Sequence, residues 1–239
     1  MIFSVIVNVL VGLATSLIGG AGVWLWERGK RSRVVRRKAN FFGVVPGETC
    51  VIVIGNKYNL PDATSRKDVR AIIEVATLAS QLGSDVITES SNDFRGSNDA
   101  RTEFCIGGPL GDANIRTGGH LAAHLPGVTL LPFSEEPESA AFVVGGHRYL
   151  FEEDTLEYTL VAKFTPAEAT RPVFLICGQS SLANQAAIHY LKRHYRDVAR
   201  SLDSLDRFCV LIRVPDIGTY GFQAATLERD ITREAFTRA

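Results

Sequence analysis

Three glycine-rich segments, each directly after a short apolar run, are the parts of this sequence best suited to chemistry. The candidate ligand-binding residues in them are Gly55, Asn56, Lys57, Gly107, Gly108, Asp112, Asn114, Gly178, Ser180 and Ser181. Glycine lets a ligand approach the backbone closely, and the start of a helix presents N–H groups and a partial positive charge to an anion. We therefore expect these residues to bind a small anionic, nucleotide-like ligand.

None of these segments matches a Walker A loop or a GxGxxG fingerprint, and a glycine after a strand also serves simply to turn the chain. Lys57 is the one basic side chain in the three segments, and Arg116 follows the second by about a turn. Either cation suits a phosphate, although long basic side chains at a sheet edge are commonly just solvated.

Catalytic residues are not assigned by the sequence. Ser180 and Ser181 follow an apolar run without the GxSxG pattern of a nucleophile elbow, and serine there is a good helix cap. Glu89 and Glu103 lie near predicted strand ends and suit general acid or base chemistry on a glycosidic bond.

No metal or cofactor is predicted. His120 and His124 are one helical turn apart, but the sequence shows no third ligand and no HExxH glutamate. The cysteines fall singly in predicted strands without a CxxC pair, which is typical of reduced core thiols. They are Cys50, Cys105, Cys177 and Cys209.

Short apolar runs that alternate with amphipathic segments predict an α/β fold with a mostly parallel, helix-covered sheet. The predicted buried strands are residues 50–54, 103–106, 172–177 and 208–214. The first predicted helix is capped by Thr64 or Ser65 and runs to about residue 82, the second opens at Asp112 or Asn114 and runs to about residue 124, and the third covers about residues 181–202. Alternation over residues 141–144, 148–151 and 157–163 predicts an antiparallel meander. The polar segment 90–101 predicts an exposed, mobile loop.

Residues 1–26 carry no charged side chain, and about 20 apolar residues suffice to cross a bilayer. Residues 27–38, the basic collar, hold seven Lys or Arg and one Glu. A signal peptide would place its positive charges before the apolar run, so we expect a single membrane span. The positive-inside rule then places the amino terminus outside and the rest in the cytoplasm, at the inner (plasma) membrane.

This division predicts a transmembrane helix at 1–26, a collar and linker at 27–45, and a cytoplasmic domain at 46–239. Beyond the collar, 26 − 7 = 19 basic residues face 26 − 1 = 25 acidic ones, which argues against nucleic-acid binding. Because residues 1–26 are expected to span a membrane, the expected partner is the lipid bilayer. Gly12, Ser16 and Gly20 form a stripe of small residues that fits self-association into a homo-oligomer, or simply the ordinary composition of membrane spans.

The loop from Gly107 through Gly108 and Pro109 to Asn114, and the later Gly178 with Ala186 and Ala187, resemble an uncharacterised family of bacterial membrane-linked α/β domains. That family shows a GGPxxN loop and a GxxxxGTxAA strand-to-helix motif, and many of its members lie beside defence genes. Here Ala183 and Asn184 replace the Gly and Thr of the second motif. The resemblance implies a Rossmann-like fold and a membrane location over about residues 50–235, and no reaction.

Three functions follow from these patterns. The first is a membrane-anchored sensing or binding module for a small anionic ligand. The second is a membrane-tethered hydrolase or transferase acting on nucleotides or nucleosides, and the third is a protein-interaction domain without a ligand.

Overall fold

The structure is a computed structural model that describes residues 30, 32–57, 60, 63–134 and 138–238. The apolar stretch 1–26, including the small-residue stripe, lies outside the described residues. Among the residues that are described, no helix is long and apolar enough to cross a bilayer. The chain divides into two compact units, Met1–Lys38 and Ala39–Ala239, and in the first the described residues are helical.

The described chain forms ten strands, six α-helices and two short 3-10 helices, the latter at Leu110–Asp112 and Gly221–Ala224. The strands are β1 (Thr49–Ile54), β2 (Asp85–Ser90), β3 (Thr102–Ile106), β4 (Val128–Leu130), β5 (Phe142–Val144), β6 (His147–Tyr149), β7 (Leu156–Phe164), β8 (Val173–Gly178), β9 (Phe208–Pro215) and β10 (Thr226–Asp230). The helices are α1 (residues 32–42), α2 (Arg66–Gln81), α3 (Ile115–His124), α4 (Ser181–Ser201), α5 (Ile217–Tyr220) and α6 (Thr232–Ala235).

Seven strands make one mixed sheet in the order β10-β9-β7-β8-β3-β1-β2. The pairs β2–β1, β1–β3 and β3–β8 are parallel, whereas β7 runs antiparallel to both β8 and β9. The α/β class predicted from the sequence is confirmed, and the sheet is more mixed than expected. Parallel pairing brings the carboxyl ends of β1, β3 and β8 to one edge.

Both faces of this sheet are covered, which explains why its central strands are continuous apolar runs. In β1, Cys50 and Ile52 pack in the core beneath α2 and α4, while Val51 and Val53 pack in the core beneath α3. This alternation is the period of two that a strand imposes on its side chains. Because such a strand is apolar on both faces, its sequence does not show which of its side chains face which helix layer.

The predicted meander is wrong in its last strand. β5 pairs with β4 and β6 in a separate three-stranded antiparallel sheet, but β7 lies in the main sheet between β8 and β9. All of β7 from Glu157 to Phe164 is buried, so it needs cover on both faces that a small meander does not provide. The alternation of residue types over 157–163 does not indicate that both faces of this strand are buried.

The second unit begins at Ala39, and the end of α1 belongs to its core. Phe41 and Phe42 are buried, and their rings lie 5.3 Å from those of Phe208 and Phe174, respectively. The backbone here is also held by polar side chains. Thr102 donates to the Gly43 carbonyl at 2.6 Å, and Lys163 Nζ donates to the Asn40 carbonyl at 2.7 Å.

Burial lowers the pKa of Lys163 to about 8 from the ordinary 10.5, against a smaller opposing effect of Asp206. The unfolded chain therefore binds this proton more tightly than the folded protein does between those pH values. The contribution of Lys163 to the free energy of unfolding should accordingly rise by up to about 3 kcal/mol as the pH increases from about 8 to about 10.5.

Denaturant unfolding of the wild type and of Lys163→Met across that pH range checks this. The difference in free energy of unfolding should shift in favour of the wild type as the pH rises. The buried thiols titrate in both proteins and cancel in the difference. A difference that stays constant with pH would contradict the assignment.

Candidate functional site

The three predicted glycine-rich segments meet at one cleft of about 740 Å³. They follow β1, β3 and β8, which are neighbours in the sheet, so parallel pairing places their carboxyl ends side by side. In open α/β sheets, ligands bind at this edge. The predicted residues that line the cleft are Gly55, Asn56, Lys57, Gly107, Gly108, Gly178, Ser180 and Ser181.

Asp112 and Asn114 do not line the cleft. Asp112 is exposed beyond it, and Asn114 is fully buried. Asn114 caps α3, since its Oδ1 accepts from the Thr117 amide at 3.0 Å, and its Nδ2 donates to the Ile106 carbonyl at 2.9 Å. Asn114 thus joins the end of β3 to the start of α3, and both polar atoms of its side chain are used within the protein.

Two of the glycines are required by the protein's own packing. A Cβ atom on Gly55 would lie 2.7 Å from the Ala113 carbonyl oxygen, and one on Gly178 would lie 2.7 Å from Asn184 Oδ1. The Asn56 amide donates to that same Ala113 carbonyl at 2.6 Å, so the first and second segments are hydrogen-bonded to each other. Close approach between loops explains glycine here, whether or not a ligand binds.

The amino-terminal ends of α2 and α4 both reach the cleft. Asp68, in the first turn of α2, connects the two helices through its carboxyl group. Its Oδ2 accepts from Ser181 Oγ at 2.6 Å, and its Oδ1 accepts from Asn184 Nδ2 at 3.2 Å. Burial raises the pKa of Asp68, while these two hydrogen bonds oppose that rise. A carboxylate beside two helix amino termini is stabilised by their partial positive charge. Asp68 lines the cleft and was not predicted from the sequence.

Ser180 caps α4, because its Oγ accepts from the Ala183 amide at 3.2 Å, which confirms the interpretation of this serine as a cap. The same hydroxyl donates to the buried carboxyl of Glu157 on β7. Burial raises the pKa of Glu157, and the bond from Ser180 lowers it by less. Two consecutive serines therefore each contact a carboxyl group at this edge.

Gln179 joins the third glycine-rich segment to the small sheet. Its Oε1 accepts from the Tyr158 amide at 2.7 Å, and its Nε2 donates to the carbonyls of Ala140 at 2.9 Å and Tyr149 at 3.0 Å. The connections of the small sheet thereby form one wall of the cleft, which includes Phe133 and Phe151. No local sequence pattern marks Gln179, since its partners are remote in the chain.

Among the described lining residues, Lys57 is basic and Asp68 and Glu153 are acidic. Lys57 and Glu153 are exposed. The cleft therefore offers one cation for an anionic group and two carboxylates that suit hydroxyl or amino donors. This mixture differs from a site built for inorganic phosphate alone, which typically uses several cations.

Glu103, proposed above as an acid or base, lies near the other end of β3 in a buried ion pair. Arg116 donates to it through Nε at 2.9 Å and Nη2 at 2.6 Å, and His120 Nε2 lies 2.8 Å from its Oε1. Burial would raise the pKa of Glu103, but the hydrogen bonds from Arg116 and His120 together hold it below its usual value. This geometry favours a structural role over catalysis.

The donor atoms of Glu103, Cys105 and His120 lie within 4.8 Å of one another, a separation that also suits a metal ion. Both carboxylate oxygens already accept hydrogen bonds from Arg116 and His120, and burial raises the pKa of the Cys105 thiol far above its ordinary value. A metal would have to displace the guanidinium and ionise that thiol. The cluster therefore fits an ion pair better than a metal centre.

The segment at 90–101 is less exposed than predicted. Ser91, Phe94 and Asn98 are buried, and Arg116 lies over the Phe94 ring with its Cζ atom 4.6 Å from the ring centroid. Arg116 Nη1 also donates to the Gly96 carbonyl at 2.6 Å. Arg116 on α3 thus contacts both Glu103 and this loop. The polar composition of residues 90–101 does not reveal these contacts, because they are made with a residue outside the loop.

Glu89 is not brought together with Glu103. It lies on β2 and lines a separate cleft of about 270 Å³ with Asn56, Thr64 and Asp93 among its neighbours. β1 runs between β2 and β3, and Glu89 pairs with Val53 of β1 whereas Glu103 pairs with Val51. Two strand spacings and a two-residue offset place the two glutamates about 12 Å apart. They do not form an acid and base pair.

No protein-family model, no curated protein and no solved structure matches this chain. The resemblance of the GGP loop and the later Gly and Ala-Ala positions to bacterial membrane-linked domains therefore stays a prediction. The site has to be interpreted from its own geometry.

The ion pair at Glu103 generates a stability prediction. Arg116→Met should lower the free energy of unfolding by about 3 kcal/mol at pH 7, because it leaves a buried carboxylate without its main partner. The loss should shrink as the pH falls below about 4.5, since the lowered pKa of Glu103 provides stability only while the group is ionised.

Urea unfolding of Arg116→Met and of the exposed neighbour Arg95→Met, at pH 7 and at pH 4, measures both effects. The Arg95 variant should lose less than about 1 kcal/mol, as surface substitutions usually do. Equal losses in the two variants would remove the special role of Arg116.

Proposed function

We propose that this protein is a membrane-anchored sensing or binding module for a small anionic, nucleotide-like ligand. The observation that carries the proposal is the meeting of three glycine-rich segments, from three adjacent parallel strands, at one cleft of about 740 Å³. The volume is in the range of small-molecule sites.

The chemistry of the lining supports a ligand with an anionic end and a polar, uncharged part. Lys57 projects from the first segment and suits a phosphate, while Asp68 and Glu153 suit hydroxyl groups such as those of a sugar. The α4 amino terminus, with Ser180 and Ser181, adds partial positive charge on the same side. A nucleotide combines these features.

A hydrolase or transferase acting on nucleotides is the second candidate, and Asp68 is the observation that favours it. A carboxyl group with a raised pKa in a cleft is typical of a general acid. Both of its oxygens accept hydrogen bonds from α4, which equally suits a group that only positions the helix. Conversion of a bound nucleotide to products would favour this alternative.

The anchor is proposed from the sequence alone. An uncharged apolar run at 1–26 followed by seven basic residues favours a single span with the domain on the cytoplasmic side of the inner membrane. Alkaline extraction of membranes should leave the chain in the pellet, and external protease should not reach the carboxyl-terminal region in intact cells. Either opposite result would refute the anchor and leave the cleft unaffected.

Binding is tested by calorimetry and thermal unfolding of the full chain in mild detergent with each ribonucleoside 5′-monophosphate, diphosphate and triphosphate. A ligand present at one hundred times its Kd should stabilise the folded protein by about 2.7 kcal/mol. Lys57→Glu should weaken binding by about tenfold or more, because it reverses the one basic charge of the described lining.

Arg70→Glu is the matched control, since Arg70 is an exposed cation of α2 that does not line the cleft. It should bind like the wild type. Equal weakening by both variants would indicate a nonspecific charge effect, and the absence of binding by every nucleotide would favour the third alternative, a protein-interaction domain without a ligand.

A further inference from the structure

The wall of the cleft opposite the glycine-rich segments carries an aromatic pair that the proposed phosphate and sugar contacts do not use. Phe133 is 58% exposed, which is unusual for a phenylalanine that lines a cleft. The ring of Phe151 lies 6.5 Å away and is nearly perpendicular to it, at 80°. In an edge-to-face pair of this kind, at least one flat face of each ring is left uncovered by the other ring.

The position of Phe133 is set by hydrogen bonds on either side of it. The Leu131 amide donates to the Ala141 carbonyl at 2.9 Å, and the Ser134 amide donates to Ser139 Oγ at 3.0 Å. These contacts tether the described residues on either side of Phe133 in the connection between β4 and β5.

Gln179 places this segment at the cleft. It belongs to the third glycine-rich segment and donates to two carbonyls. One is that of Ala140, in the connection that carries Phe133, and the other is that of Tyr149, the last residue of β6, which directly precedes the connection that carries Phe151. Because one side chain joins both of these points to the end of β8, the aromatic pair and the glycine-rich edge are positioned together. Their common lining of the cleft follows from this link.

An exposed aromatic face is stabilised when the flat ring of a nucleobase stacks on it, and a sugar phosphate has no aromatic ring to stack. We propose that the ligand is a nucleotide whose base stacks on the aromatic pair of Phe133 and Phe151. This inference rests on the proposed function and names the substrate class of the same site. The acceptors Asp68 and Glu153 remain for the hydroxyl groups, and Lys57 for the phosphate.

The test compares ligands that differ only in the base. Calorimetry on the full chain in mild detergent should give a Kd for at least one ribonucleoside 5′-monophosphate that is about tenfold or more below the Kd for ribose 5-phosphate. Phe133→Ala should remove most of that difference while leaving the Kd for ribose 5-phosphate unchanged. Phe133→Tyr should retain it, since tyrosine keeps the ring.

Tyr220→Ala is the matched control, because Tyr220 is 66% exposed and lies outside this cleft. It should bind both ligands like the wild type. The folded state of each variant is checked by its thermal unfolding, and an exposed ring such as Phe133 should contribute little to stability.

Each remaining result counts against the inference in a different way. Equal affinity for nucleotide and ribose 5-phosphate, with no effect of Phe133→Ala, would overturn base stacking and leave the proposed binding function standing. Binding of neither ligand would overturn both. A loss of affinity for both ligands in Phe133→Ala would assign the ring to the shape of the cleft, and would likewise overturn selection of a base.

Discussion

The parallel pairing of β1, β3 and β8 is the constraint on which the rest of the described domain depends. Strands buried on both faces lose all contact with water, so their backbone hydrogen bonds must be made within the sheet. Parallel pairing then forces the chain to leave all three strands at the same edge. The glycine-rich turns, the helix amino termini and the cleft are consequences of that shared edge.

Polar side chains convert this edge into a defined cavity. Asp68 joins α2 to α4, Asn184 joins α4 to the end of β8, and Gln179 joins β8 to the small sheet. These groups are partly or fully buried, and a buried polar group is tolerated only when its hydrogen bonds are satisfied. The same bonds therefore stabilise the fold and shape the cleft.

The two clusters of ionisable groups in the domain have different characters. At Glu103 burial is opposed by the hydrogen bonds and charges of Arg116 and His120, which together outweigh it and favour the charged carboxylate, so the group acts as a fixed structural anion. At Asp68 and Glu157 the partners are neutral serine and asparagine side chains, and burial favours the protonated form. These two acids therefore hold their protons more tightly than an ordinary carboxyl group does.

Much of the local structure was predictable because it depends on neighbouring residues. The apolar runs at β1, β3, β8 and β9 and the caps at Ser65, Asn114 and Ser180 follow from side-chain period and short-range hydrogen bonding. The position of the three glycine-rich segments at one edge followed from the alternation of strands and helices. Eight of the ten predicted residues line one cleft, whereas Asp112 and Asn114 lie outside it.

The amino-acid sequence by itself determined the α/β class, the strand-ending glycines and the separation of an uncharged leading segment from a basic collar, because each is encoded within a short stretch of chain. Only the tertiary structure decided that β7 enters the main sheet, that Asp68, Gln179 and Phe133 complete the cleft, and that Arg116 engages Glu103. Those contacts join residues far apart in the chain, and their formation depends on which surfaces become buried together, which no local pattern records.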